Sequence, residues 1–145
     1  MVLGQTEVVA LVDRLREERH AILLCFYTGT EAPEYLEPML REPEPPTGQR
    51  FDDGFADAYR SALQVNPSVH DGAIVFGRET DTLLYRVRGW SMRLLPPSSK
   101  AMAIPNRGSA FNSCLAMSTV PGVDRLLLIS NGSLTTFEAG VPREA

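Results

Sequence analysis

The chain has 145 residues and 16.0 kDa, with 43% hydrophobic and 22% charged residues. Those proportions exclude disordered, collagen-like and coiled-coil classes and suit one globular domain that buries a core without disulfide staples. The net charge of −4 disfavours direct nucleic-acid binding, which draws on a positive excess.

Cys25 and Cys114 are the two cysteines, and neither has a second Cys or a His at metal-ligand spacing, so a zinc finger is excluded. Both lie in apolar runs and are expected to be reduced core residues, which suits a cytoplasmic setting. No stretch approaches the roughly 18 uninterrupted apolar residues of a membrane span. No basic head with an apolar stretch opens the chain, so neither a signal peptide nor membrane association is expected. Lys100 is the single lysine against 13 arginines, a compositional bias rather than a functional signal.

In chain order, Thr6 is placed to cap a first helix with Glu7 in its first turn. Val8, Leu11, Val12 and Leu15 recur at helical spacing, opposite Asp13, Arg14, Arg16 and Glu17. That helix is expected to end near Arg19. Residues 21–27 are a continuous apolar run and predict a buried strand. Residues 30–54 hold five prolines, among them Pro43, Pro45 and Pro46, and are rich in glutamate. They predict a long surface loop with a helical turn near 33–36.

Asp53 is expected to cap a second helix that turns Phe55, Ala58, Tyr59 and Ala62 inward and ends at Asn66-Pro67. Residues 73–76 predict a strand, with 82–87 its hairpin partner and 92–95 a further short strand stopped by Pro96-Pro97. Ser109 is expected to cap a helix over 110–117. Residues 125–130 and 134–137 flank Asn131-Gly132, the strongest short hairpin signal in the chain. The order of elements predicts an α/β or α+β fold in one domain over 1–145, a mixed sheet flanked by helices.

Two places carry chemistry. In His70-Asp71-Gly72-Ala73, a carboxylate beside a glycine at a strand start can approach a ribose hydroxyl or a metal, and the glycine admits close backbone approach. A tight turn with a capping aspartate and a structural histidine is the plain alternative. In Pro105-Asn106-Arg107-Gly108-Ser109, a helix N-terminus with free N–H groups and a guanidinium suits a phosphate. An ordinary helix entry with a solvated arginine is the alternative there.

Taken together, these motifs resemble the diadenylate cyclase domain of cyclic-di-AMP synthases. That family has an HDGA strand, an LP segment, GTRHRAA opening a helix, and an apolar strand followed by SEE. Here residues 70–73 match the first motif, Leu95-Pro96 the second, and Arg107 to Ala110 stand where the third belongs; Ser130 ends the apolar strand. The resemblance runs over roughly residues 6 to 139. It implies nucleotide-binding roles for Asp71, Gly72, Ala73, Leu95, Arg107, Gly108, Ser109 and Ser130, with Asp71 also a metal ligand and magnesium or manganese accompanying the nucleotide. It also implies face-to-face homo-oligomers, a geometry that a sensor does not need.

The departures are specific. Gly108 replaces the family's histidine, Ser109 its second arginine, and Asn131 an acidic residue. Phosphoryl transfer rests on charge stabilisation, so this erosion removes catalysis more readily than binding. The leading expectation is therefore a non-catalytic domain, with no catalytic residues, that senses an adenine nucleotide or a related second messenger. The alternatives are an active cyclase making a cyclic dinucleotide from ATP, and an interaction or structural module without nucleotide.

Overall fold

The computed structural model describes residues 13–15, 20–40, 42–96, 108–130 and 132–144. Within them, the apolar run marked by the sequence becomes β1 (Ile22–Thr28), the centre of a seven-stranded sheet. β1 pairs in parallel with β3 (Ala73–Arg78) and antiparallel with β5 (Val123–Ser130). Outward from β3 lie β4 (Arg86–Leu94) and the edge strand β2 (Leu36–Pro38). Outward from β5 lie β6 (Ser133–Glu138) and the other edge strand, β7 (Val141–Glu144). The order is β2-β4-β3-β1-β5-β6-β7, a mixed sheet as expected.

Parallel pairing of β1 with β3 needs a crossover, and the segment between them contains α1 (Phe55–Val65). α2 (Ser109–Met117) lies between β4 and β5 in sequence. Residues 13–15 are also helical, and Leu15 is buried in the core; the rest of the predicted first helix falls outside the described residues.

Successive strand residues point to opposite faces, and each face has its own core. Leu24, Phe26, Ile74, Phe76 and Leu127 meet Phe55, Ala56, Tyr59 and Ala62 of α1. Aromatic rings dominate this side: Phe26 stacks on Phe76 at 4.9 Å, and Phe55 lies parallel to Trp90. On the opposite face Cys25, Val75, Leu126 and Phe137 meet Phe111, Cys114, Leu115 and Met117 of α2. Covering both faces is why β1 reads as a continuous apolar run. Cys25 and Cys114 are buried and free, as expected. Burial raises both thiols, Cys25 to about 12, so neither carries a thiolate at neutral pH.

Several local expectations are corrected. The predicted strands at 82–87 and 92–95 are one strand, β4, beginning only at Arg86. Its pairing with β3 is irregular at two points, which breaks the alternation a sequence reading looks for. The loop from 30 to 54 contains β2 where a helical turn was expected, and further along it Arg50 bridges to Arg86.

The N-cap of α1 is Gly54, not Asp53, and the preceding Asp52 accepts the Gly54 N–H at 2.9 Å. Ala56 joins the fully buried stripe of α1 while Ala58 is only partly covered. Gly108, not Ser109, is the N-cap of α2. β7 was not expected; Pro142 and two charged residues hide its strand character. The hairpin at Asn131-Gly132 is present in the pairing of Ser130 with Ser133.

Candidate functional site

Asp71 closes a short 3-10 turn, Pro67–His70, and hands the chain to β3. The turn begins with Asn66, whose side chain accepts the Ser68 N–H at 3.0 Å, and Asp71 donates its N–H to the Ser68 carbonyl. His70 Nδ1 lies 2.7 Å from the Pro67 carbonyl, which places the proton on that nitrogen, and its ring lies 4.0 Å from that of His20. These contacts give His70 a structural role in shaping the turn.

Gly72 then turns into the strand with φ +73, a region that glycine enters freely. A Cβ there would lie 2.6 Å from Met39 Cε and 2.7 Å from the Met92 carbonyl oxygen. Only glycine lets the chain pass β4 so closely. The Asp71 carboxylate accepts the Gly72 N–H at 3.1 Å and is otherwise exposed.

Strand register brings four residues into one row across the sheet. Met92 stands opposite Ala73, Ala73 opposite Leu23, and Leu23 opposite Leu128. α2 begins over this row. Its N-cap, Gly108, has φ +86, and no side chain caps the helix. The first-turn N–H groups of a helix have no partner inside it, and the N-terminus carries partial positive charge.

A cavity of about 150 Å³ lies between the two elements, lined by Gly72, Ala73, Met92 and Leu94 on one side and Ser109, Ala110 and Ser113 on the other. It is smaller than the roughly 300 Å³ at which small-molecule pockets usually begin.

Of the residues expected at the site, Gly72, Ala73 and Ser109 line this cavity, Gly108 opens the helix beside it, and Asp71 immediately precedes Gly72. Ser130 ends β5 two residues beyond Leu128, at the same end of the sheet and outside the lining. Leu95 is exposed, with its N–H bonded to the Tyr35 carbonyl, and Leu94 takes the lining position instead. Arg107 lies outside the described residues.

The sequence reading missed Leu23, Met39, Met92, Arg93 and Ser113 as lining residues. Ser113 could have been found, since it follows Ser109 by four positions on one helix face. Leu23 and Met92 arrive only through register.

Among the described residues, no group of three or more His, Cys, Asp or Glu side chains is placed to hold a metal, and Asp71 is the only carboxylate expected at the site. At the opposite end of β1, Asp124 accepts hydrogen bonds of 2.6 Å from both Thr28 and Tyr85, and Arg78 Nε donates to Thr28 Oγ1 at 2.9 Å. Burial, reinforced by the bond to Asp124, pushes the Tyr85 hydroxyl up to about 12. An apolar cavity of about 130 Å³ adjoins this network, walled by Phe26, Phe51, Tyr85, Leu127 and Leu134.

Among the described residues no helix is long and apolar enough to cross a membrane. No protein-family profile and no curated protein sequence matches the chain. Solved structures do. A hypothetical membrane spanning protein from Bacillus cereus superposes with a TM-score of 0.61 at 14% identity, covering 96% of this chain; the alignment spans only 61% of that protein. A double mutant of DacA from Staphylococcus aureus superposes with a TM-score of 0.59 at 16% identity, over 94% of this chain and 83% of that one. At these identities the likeness is one of architecture, and the chain is an α+β domain with a fold like that of DacA.

Proposed function

We propose that this domain binds an adenine nucleotide, or a second messenger derived from one, between the start of β3 and α2, and senses it without making a cyclic dinucleotide. The observation that supports this most is the meeting of Gly72 and Ala73 with Ser109 and Ala110 on one cavity, beneath a helix start with no side-chain cap. Backbone N–H groups and the helix dipole there favour phosphate oxygens. Asp71, exposed one residue before Gly72, suits a ribose hydroxyl, and Leu94 offers an apolar wall to a base.

Gly108 and Ser109 stand where the diadenylate cyclase motif carries an imidazole and a second guanidinium, leaving Arg107 as that motif's cation. Phosphoryl transfer depends on such charges, so binding persists and synthesis is lost. The carboxylate of Asp71 fits a divalent cation that arrives with the nucleotide, since magnesium is commonly held by one or two carboxylates together with phosphates and water.

The test is a titration of purified protein with adenosine mono-, di- and triphosphates and cyclic-di-AMP, with and without magnesium or manganese. At least one ligand is expected to raise the melting temperature, and no cyclic-di-AMP is expected from ATP. Arg107→Ala should weaken binding by roughly one to two decades through loss of a charge-assisted bond. Asp71→Asn should hold or raise affinity without metal and lower it where a cation bridges. Robust synthesis that vanishes in Asp71→Ala overturns the sensing reading. No thermal shift with any nucleotide overturns binding and favours an interaction module on the same fold.

A further inference from the structure

The opposite end of the sheet carries a concentration of positive charge that the proposed nucleotide site does not use. A cavity of about 400 Å³ opens where β3 ends and β4 begins, and Arg50, Arg78, Arg86 and Arg88 all line it. They come from three chain segments: the loop before α1, the last residue of β3, and β4. Arg86 and Arg88 are two apart on β4, so they share a face. Arg50 and Arg86 stand directly opposite each other across an antiparallel bridge, an arrangement that destabilises a sheet when the charges are alike.

Few partners relieve this crowding. Among the described residues, the one carboxylate within 4.0 Å of any of the four guanidinium groups is Asp124, at 4.0 Å from Arg78. Arg86 Nη1 donates to the Gly48 carbonyl at 3.1 Å, a neutral acceptor. Glu79 is the single acidic residue in the described walls. Arg78 is the fixed member. Its guanidinium lies 4.2 Å over the Tyr85 ring and its Nε is held by Thr28. Arg50, Arg86 and Arg88 are exposed and able to swing toward a ligand.

We propose that this cavity is a binding site for a small polyphosphate, such as the di- or triphosphate moiety of a nucleotide or free inorganic polyphosphate. Several guanidinium forks around one concavity match the many oxygens of a phosphate chain. The volume falls within the usual range of small-molecule pockets, roughly 300–1,000 Å³. A long nucleic acid is the poorer fit, because it would run from this patch onto a chain of net charge −4.

The site is separate from the cleft at Gly72. β3 starts at one and ends at the other, and its six residues span about 17 Å at a rise of about 3.3 Å per residue. The inference does not rest on the nucleotide reading of that cleft.

Calorimetric titration of the full chain with inorganic tripolyphosphate tests it. Binding is expected, weakening as salt is raised. Arg50→Ala and Arg88→Ala should each reduce affinity by about tenfold or more, Arg88→Lys should recover part of it, and Asp71→Ala should leave it unchanged. Without ligand, Arg50→Ala is expected to keep or raise the melting temperature, because it removes a like-charge neighbour of Arg86. Tripolyphosphate binding that survives both arginine substitutions but fails in Asp71→Ala places the phosphates at the other cleft and overturns the proposal. So does unchanged tripolyphosphate affinity in Arg50→Ala and Arg88→Ala, a loss of melting temperature in ligand-free Arg50→Ala, or duplex DNA binding more tightly than tripolyphosphate. If ATP and tripolyphosphate bind alike, the phosphate chain alone is recognised; a preference for ATP that also depends on Arg88 assigns the site to nucleotides.

Discussion

Single positions set the geometry on which the site depends. At Gly72 a methyl group would press on the Met92 carbonyl, a backbone atom that cannot swing aside, and φ is already +73. Gly72→Ala is therefore expected to lower stability by about 1–3 kcal/mol, read as a shift in the urea midpoint, and to abolish nucleotide-induced thermal shifts. A second residue-scale consequence concerns alkali. Tyr85 is raised from 10.0 to about 12, chiefly by burial and next by its bond to Asp124, and Cys25 from 9.0 to about 12, chiefly by burial. Between their unfolded and folded values the native state keeps protons that the unfolded chain has released. Their contribution is thus whole below pH 9 and is lost as pH rises to about 12. Urea titrations across that window are expected to show falling stability, with Tyr85→Phe flattening the fall above pH 10. A level profile from pH 9 to 12 contradicts this account.

At the scale of elements, the sequence was readable wherever periodicity or turn chemistry is local. The apolar run of β1, the inward stripe of α1, the Asn131-Gly132 hairpin and the turn before β3 all declare themselves within a few residues. β4 does not. Its bulged pairing with β3 and its exposed Arg86 and Arg88 disguise one nine-residue strand as two shorter ones. β2 and β7 are short and proline-bearing, and they exist only because a neighbour offers a ladder. The site divides the same way. Gly72 and Ser109 are marked by local sequence, whereas Leu23, Met39 and Met92 reach the cavity through pairings between distant segments. One further element-level tie is testable. Trp90 of β4 is buried, stacks with Phe55 of α1, and donates Nε1–H to the Pro46 carbonyl at 2.8 Å, fastening the proline-rich loop to sheet and helix together. Trp90→Phe keeps one aromatic ring but removes the donor and the second ring of the indole, and is expected to cost about 1–3 kcal/mol, measured by far-UV circular dichroism in urea.

For the whole molecule, β1 is the common floor of both cores, so damage to it should be felt on both sides. Leu24 is fully buried beneath α1, while Cys25, its neighbour, packs beneath α2. Leu24→Ala is expected to cost about 2–5 kcal/mol. Leu83→Ala, at a side chain 47% exposed, should change stability by no more than about 0.5 kcal/mol. Because the two cores share one strand, Trp90 fluorescence and circular dichroism should report a single coincident transition in both variants. Separate midpoints would mean that the α1 and α2 layers unfold independently.

The proline in each outermost strand has a bearing on behaviour at high protein concentration. A sheet ends in open N–H and C=O groups, which invite another chain to pair and can seed fibrils. Here β2 offers three residues and closes on Pro38, and β7 offers four, with Pro142 followed by Arg143 and Glu144. Proline supplies no donor, and paired charges resist stacking of like upon like. The same features that concealed these strands from a sequence reading therefore guard the sheet against edge-to-edge growth, and keep a largely apolar seven-stranded platform from recruiting further copies of itself through its backbone.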